Sequence, residues 1–141
     1  MMRKFYQNKL WRDKLIKMKE DKGGVVHVIP LSHAEYSEEI GMKLLEEANE
    51  VYSAETHEEM IDEIVDVLEA IDCILAFHGI SQEEIMALKA NKKAEFGSYT
   101  NRNLVDYVEY PVGSEDEKYC LDHPESYPEL TEDGDINNCC K

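Results

Sequence analysis

The chain has 141 residues, of which 31 are Asp or Glu and 15 are Lys or Arg, giving a net charge of −16 at pH 7. Hydrophobic residues make up 43% of the sequence, enough for the packed core of one domain, which argues against a fully disordered chain. The negative charge argues against general binding to nucleic acids or acidic membranes, because charges of one sign repel. So many carboxylates are either solvent-facing or part of a cation site.

The charge is divided unevenly along the chain. Residues 1–30 contain eight basic and three acidic residues, residues 31–113 contain five and nineteen, and residues 114–141 contain two and nine. This pattern predicts a basic arm, an acidic body and an acidic tail. We therefore predict one folded domain over residues 1–113 and an acidic tail over residues 114–141 that is either poorly ordered or lies across the surface.

Four helices are predicted, and three of them share one start signal. A hydroxyl residue followed three positions later by Glu is a capping box, and this pattern begins at Ser32, Thr56 and Ser81. Gly79 and Gly97 suit the ends of the last two helices. The predicted helices cover about 9–21, 33–54, 57–78 and 82–95, and their short links favour antiparallel neighbours.

The expected fold is an all-α helical bundle that oligomerisation completes, since the wide apolar helix faces leave surface to cover. Residues 25–29 and 104–110 are rich in Val and Tyr and could pair as a small β ribbon. No apolar run approaches 18 residues, and the first 21 residues lack the apolar stretch of a signal peptide. We therefore expect an intracellular, cytoplasmic protein.

Two pairs of acids lie where the apolar and polar faces of predicted helices meet. Glu47 and Glu50 are three residues apart on one helix, and Glu63 and Asp66 are three apart on the next. Antiparallel packing would bring the pairs face to face, where a divalent cation would relieve their repulsion. Carboxylate ligands without Cys or His favour Mg²⁺, Mn²⁺ or Ca²⁺ over zinc. The alternative is that these glutamates simply form a solvated helix face.

The acids also carry a resemblance to a known superfamily. The pattern of Glu46-Glu47-x-x-Glu50 followed by Glu63-x-x-Asp66 resembles the all-α nucleoside triphosphate pyrophosphohydrolases, which include MazG and phosphoribosyl-ATP pyrophosphohydrolase. Three further segments are similar to a MazG-like branch, at residues 8–15, 66–72 and 89–99. The resemblance covers roughly residues 8–110, and the four pieces in this order are more specific than any one of them.

The resemblance implies Mg²⁺-dependent cleavage of a nucleoside triphosphate between its α and β phosphates, yielding a monophosphate and pyrophosphate. Glu47, Glu50, Glu63 and Asp66 would hold the metal, with Mn²⁺ as a substitute, and Glu46 or Glu47 would accept a proton from the attacking water. The anionic substrate needs local cations. The predicted substrate-binding residues are Lys9, Arg12, Lys14, Lys89, Lys93 and Arg102.

Other functions remain open from the sequence. Phosphoribosyl-ATP hydrolysis is the second enzymatic candidate, and a non-catalytic helical interaction module is the alternative from another class. Cys120-x-x-His123 together with Cys139 and Cys140 is a weak candidate for a zinc site, because the spacing is irregular. The expected partners are a nucleoside triphosphate and further copies of the chain, as a dimer or tetramer.

Overall fold

The computed structural model describes residues 1–131 and residue 134, and its regular structure over these residues is helical. Five helices follow in order, α1 (Asp13–Glu20), α2 (His33–Ser53), α3 (His57–His78), α4 (Gln82–Phe96) and α5 (Glu115–Asp122). The chain divides into two compact units, Met1–Gly97 and Ser98–Lys141. The first unit contains α1 to α4 and the second contains α5. The predicted domain boundary after Gly113 falls inside the second unit.

The centre of the first unit is a hairpin of α2 and α3, which pack extensively against each other. Ile40 on α2 and Ala70 on α3 are the buried hydrophobic residues of the described chain. At one end, the Phe77 ring near the end of α3 lies 4.2 Å from His33 and 5.3 Å from Tyr36, centroid to centroid, at the start of α2. These contacts confirm the antiparallel arrangement that the short link predicts.

The helix starts follow the capping pattern closely. Ser32 and Thr56 each accept a hydrogen bond from the backbone N–H of the glutamate three residues on. The carboxylate of that glutamate in turn accepts from the backbone N–H of the capping residue, so both capping boxes are formed. At Ser81 the hydroxyl likewise accepts from the Glu84 N–H, at 3.2 Å. Gly79 ends α3 with φ at 66°, a left-handed conformation that glycine adopts without the strain a side chain would add.

The structure departs from the sequence expectation in three places. α1 begins at Asp13 rather than near residue 9, because the backbone of Arg12, with φ −59° and ψ 137°, is not helical. Neither residues 25–29 nor residues 104–110 form a strand, so the β ribbon prediction is wrong; a lone two-stranded ribbon is only marginally stable. The third departure is α5, which lies in the predicted tail.

The start of α5 is also marked in the sequence by a capping residue. Ser114 caps α5 by accepting from the Glu117 N–H at 3.2 Å, and the Glu117 carboxylate accepts from the Gly113 N–H. Serine followed three residues later by Glu is the same spacing that marks the other helices. No helix in the described part of the chain is both long and apolar enough to span a membrane.

The capping glutamates are expected to make stability depend on pH. The Ser32 hydroxyl and backbone lower the pKa of Glu35 below its ordinary 4.5, and the backbone N–H groups of Glu55 and Thr56 lower the pKa of Glu59. A lowered folded-state pKa gives stabilisation that is present above pH 4.5 and lost as pH falls through the folded value. Thermal unfolding should therefore show a smaller acid-induced loss for Glu35→Gln and Glu59→Gln than for wild type.

Glutamine keeps an oxygen that can accept the capping bonds but cannot be protonated in this range. The exposed Glu38 on α2 provides the control, because Glu38→Gln removes a charge outside the caps. An equal loss of melting temperature on acidification in the wild type and both cap variants would contradict the prediction.

Candidate metal centre

Three of the four predicted metal ligands meet between α2 and α3. Glu47, Glu50 and Glu63 each offer a carboxylate oxygen, and these three oxygens lie within 4.8 Å of one another. The hairpin produces this arrangement because Glu47 and Glu50 follow each other by one turn on α2, while Glu63 faces them from α3. We call these three residues the carboxylate cluster.

Glu47 is the buried member of the cluster. Only 3% of the residue is exposed. Its Oε1 atom lies 2.5 Å from the Nζ atom of Lys43, one turn earlier on α2. Its other oxygen, Oε2, is buried with no hydrogen-bond partner within the described structure. A buried carboxylate oxygen without a partner costs free energy, so it is a ready acceptor for a cation.

The donors fit Mg²⁺ in type and in spacing. Mg²⁺ takes oxygen ligands at about 2.0–2.1 Å in an octahedron, so its opposite ligands are separated by about 4.2 Å. Three oxygens within 4.8 Å of one another can therefore reach one ion through small side-chain movements. The cluster also contains no thiolate or imidazole that would favour zinc.

Asp66, the fourth predicted ligand, is paired with a different group. The Arg12 guanidinium donates a close hydrogen bond from Nη2 to Asp66 Oδ1, and its Nη1 lies 3.7 Å from Oε2 of Glu69. The Arg12 side chain is about half exposed. Thus a predicted substrate-binding cation contacts a predicted metal ligand directly, which the sequence did not indicate because the two residues are far apart along the chain.

Glu46 is held by two lysines beside the cluster. Lys9 Nζ donates to Glu46 Oε1 at 2.7 Å, and Lys43 Nζ lies 3.3 Å from Glu46 Oε2. Partial burial raises the pKa of Glu46, but Lys9 and Lys43 together outweigh it and lower the pKa below 4.5. Glu46 is therefore ionised at neutral pH.

Lys43 is the residue of the site that sequence analysis missed. Partial burial lowers its pKa, but the hydrogen bonds and negative charges of Glu47 and Glu46 raise it above 10.5 overall, so the ammonium stays charged. Lys43 lies three residues before Glu46 and four residues before Glu47, and opposite charges at these two spacings pair on a helix. That spacing is the signal in the sequence that could have identified Lys43.

The remaining predicted cations lie apart from these contacts. Lys14 is exposed on α1, and Lys89 and Lys93 are exposed on α4. Among the described residues, no ion pair or hydrogen bond joins any of the three to the carboxylate cluster. Arg102 lies in the second unit with a φ of 59°.

Two cavities lie near the acids of the first unit. One of about 270 Å³ borders the cluster and is lined by Glu50, Ser53, Ala54, Glu59 and Glu63. The other, of about 400 Å³, lies between residues 8–10 and α2, where Met42, Lys43 and Glu46 line it. The second volume lies within the range of about 300–1,000 Å³ typical of small-molecule sites.

The alternative zinc site receives no geometric support from the described residues. His123 Nδ1 lies 2.8 Å from the carbonyl oxygen of Tyr119, a contact within one helical turn. Cys139 and Cys140 lie outside the residues that the structure describes.

Comparison of the chain with family models, characterised proteins and solved structures found no significant match.

Proposed function

We propose that this protein is a Mg²⁺-dependent nucleoside triphosphate pyrophosphohydrolase that cleaves between the α and β phosphates. The observation that supports the proposal most directly concerns Glu47. Its Oε2 atom is buried without a hydrogen-bond partner in the described structure, and its carboxylate lies beside those of Glu50 and Glu63. A site of acids without metal would leave a desolvated negative charge only partly balanced by Lys43. The motif resemblance to the all-α pyrophosphohydrolases supports the choice of substrate.

The residues divide into three roles in this proposal. Glu47, Glu50 and Glu63 hold Mg²⁺, and Asp66 is a further ligand when Arg12 does not occupy it. The bound ion would supply charge neutralisation for the phosphates and a lowered pKa for a water ligand. Glu46, ionised and one residue before Glu47, or Glu47 itself, accepts the proton of the attacking water.

Cations of the chain would bind the triphosphate. Lys9 and Arg12 are the nearest candidates, since both already contact acids at the edge of the cluster. Lys14, Lys89, Lys93 and Arg102 complete the proposed set. In a protein of net charge −16, these side chains and the metal provide the local positive potential that an anionic nucleotide requires.

A nucleotide panel tests the proposal. Purified protein with Mg²⁺ should release pyrophosphate and a monophosphate from at least one nucleoside triphosphate, and release should stop when EDTA removes the metal. Liberation of inorganic phosphate would indicate cleavage at the γ phosphate instead. No product from any nucleotide, including phosphoribosyl-ATP, would contradict an enzymatic function and favour the helical interaction module. Activity on phosphoribosyl-ATP alone would select the second enzymatic candidate.

We also propose that the protein acts as a homodimer or homotetramer in the cytoplasm. Cys73 and Cys120 are free thiols, as is usual in that reducing compartment. The described chain buries few hydrophobic residues, while several on the hairpin are about half exposed. The exposed apolar residues of α2 and α3 include Met42, Leu45, Ile61, Ile64, Val65 and Leu68. Exposed apolar residues in such number on one hairpin are typical of interfaces between proteins.

The oligomer proposal predicts a mass of at least two chains by sedimentation velocity or light scattering. Leu68→Glu should shift the protein toward the monomer, because a charge in an apolar interface loses its hydration. Leu121→Glu is the matched control, since that leucine is about equally exposed but lies on α5. A wild-type protein that sediments as a compact monomer at micromolar concentration would contradict the proposal.

A further inference from the structure

The N-terminal arm, residues 8–12, contacts both helices that carry the carboxylate cluster. Asn8 has a positive φ of 44° and the backbone of Arg12 is not helical, so the arm lies outside α1. Lys9 pairs with Glu46 of α2, and Arg12 pairs with Asp66 and Glu69 of α3. Two basic residues three positions apart thus bridge the hairpin at the edge of the cluster.

We propose that Arg12 is an intramolecular competitor of the divalent cation, and that metal binding and release of the arm are coupled. The inference rests on the proposed function, because it requires the carboxylate cluster to bind metal. Asp66 lies one helical turn after Glu63, yet its Oδ1 accepts the Arg12 guanidinium instead of joining the three clustered oxygens. The guanidinium therefore binds the Asp66 carboxylate, which could otherwise bind the ion.

The competition follows from charge and geometry. A divalent ion in the cluster repels the Arg12 guanidinium and attracts the Asp66 carboxylate, so it weakens the Arg12–Asp66 pair. By thermodynamic linkage, the intact pair weakens metal binding by the same factor. Glu47 adds the driving force for the exchange, since its buried Oε2 lacks a partner while the arm is in place.

The exchange also gives the arm a second task. Once Arg12 leaves Asp66 and the exposed Glu69, its guanidinium is a free cation next to the metal ligands, suited to bind a triphosphate by paired N–H donors. The order of binding is then metal first and nucleotide second. In the absence of metal the arm contributes little positive charge to an incoming anion, because Lys9 and Arg12 are already neutralised by Glu46 and Asp66.

Calorimetric titration of the full chain with MgCl₂, in the absence of nucleotide, measures the coupling. Arg12→Gln should tighten Mg²⁺ binding by about two- to fivefold, the factor that corresponds to a partly exposed ion pair. The Mg²⁺ affinity of Arg12→Lys should lie between those of wild type and Arg12→Gln, since a lysine keeps the charge but not the paired donors. Lys19→Gln is the control, because it removes one positive charge from α1 with no contact to the cluster. The difference between wild type and Arg12→Gln should shrink as salt increases.

Limited trypsin digestion of the wild-type protein gives a readout that needs no variant. Cleavage after Lys9 and Arg12 should be faster in Mg²⁺ than in EDTA, whereas cleavage after Lys19 and Lys22, at the end of α1, should be unchanged. Equal Mg²⁺ affinity in wild type and Arg12→Gln, or arm cleavage that ignores Mg²⁺ while the wild type binds it, would overturn the arm exchange alone. Failure of the wild type to bind Mg²⁺ would overturn the metal site and the exchange together.

Discussion

Replacing Glu63 by Gln is expected to reduce Mg²⁺-dependent pyrophosphate release by about 100-fold or more. Glu63 is the one member of the carboxylate cluster supplied by α3, so its loss leaves α3 with Asp66 alone, which Arg12 already contacts. An amide oxygen binds Mg²⁺ more weakly than a carboxylate, and a metal contributes several kcal/mol to stabilising charge in phosphate chemistry. A loss of about 3 kcal/mol corresponds to that factor in rate.

The adjacent Asp62→Asn provides the control for this change. It removes one negative charge from the same helix, at an exposed position beside Glu63. Both variants are compared with wild type for pyrophosphate release and for the rise in melting temperature when Mg²⁺ is added. We expect the rise in wild type and Asp62→Asn and not in Glu63→Gln, because ligand binding stabilises the folded state. Equal activity in all three proteins would refute the metal site.

Lys43→Met should destabilise the metal-free protein by about 2–3 kcal/mol, because breaking a buried ion pair leaves an uncompensated charge. The charge concerned is that of Glu47, of which 3% is exposed and whose second oxygen already lacks a hydrogen bond. Glu47→Gln should have the opposite effect, or nearly none, since it removes the desolvated charge while Lys43 keeps Glu46. Urea unfolding in EDTA measures both changes.

Lys17→Met is the matched control for Lys43→Met. Lys17 also pairs with an acid at the i+4 position, Asp21, but both side chains are more than half exposed. Such surface pairs contribute about 0.5 kcal/mol or less. Mg²⁺ should restore part of the stability lost in Lys43→Met, and it should not stabilise Glu47→Gln, which lacks a metal ligand. If Lys43→Met unfolds at the same urea concentration as Lys17→Met, the buried Glu47 charge does not destabilise the protein when Lys43 is removed, and the prediction is wrong.

The stability difference also has a consequence for the proposed function. A glutamate that destabilises the metal-free fold lowers the free energy of unfolding, and such a loss of stability is common at active sites. The prediction that Glu47→Gln leaves the metal-free protein as stable as wild type, or more so, while Glu63→Gln abolishes the response to Mg²⁺, separates a metal site from an ordinary acidic surface. A solvated acidic surface would not show the Mg²⁺ response that Glu63→Gln is expected to abolish.

The sequence by itself determined α2, α3 and α4 and the acids that share the faces of α2 and α3. Ser32 and Thr56 mark helix starts because capping is a local interaction between residues three apart. The same locality places Glu47 beside Glu50, and it would have identified the partnership of Lys43 with Glu47 and the start of α5 at Ser114. The extended segments failed as strands because strand pairing needs a distant partner, which local composition does not supply.

Only the tertiary structure decided which acids meet and which cations hold them. Glu47, Glu50 and Glu63 converge because the hairpin sets the register of α2 against α3, a property of packing rather than of either helix. The burial of Glu47 and the pairing of Arg12 with Asp66 likewise depend on contacts between residues far apart in the chain. Periodicity places a carboxylate on a helix face, whereas its exposure and its partner follow from what packs over that face.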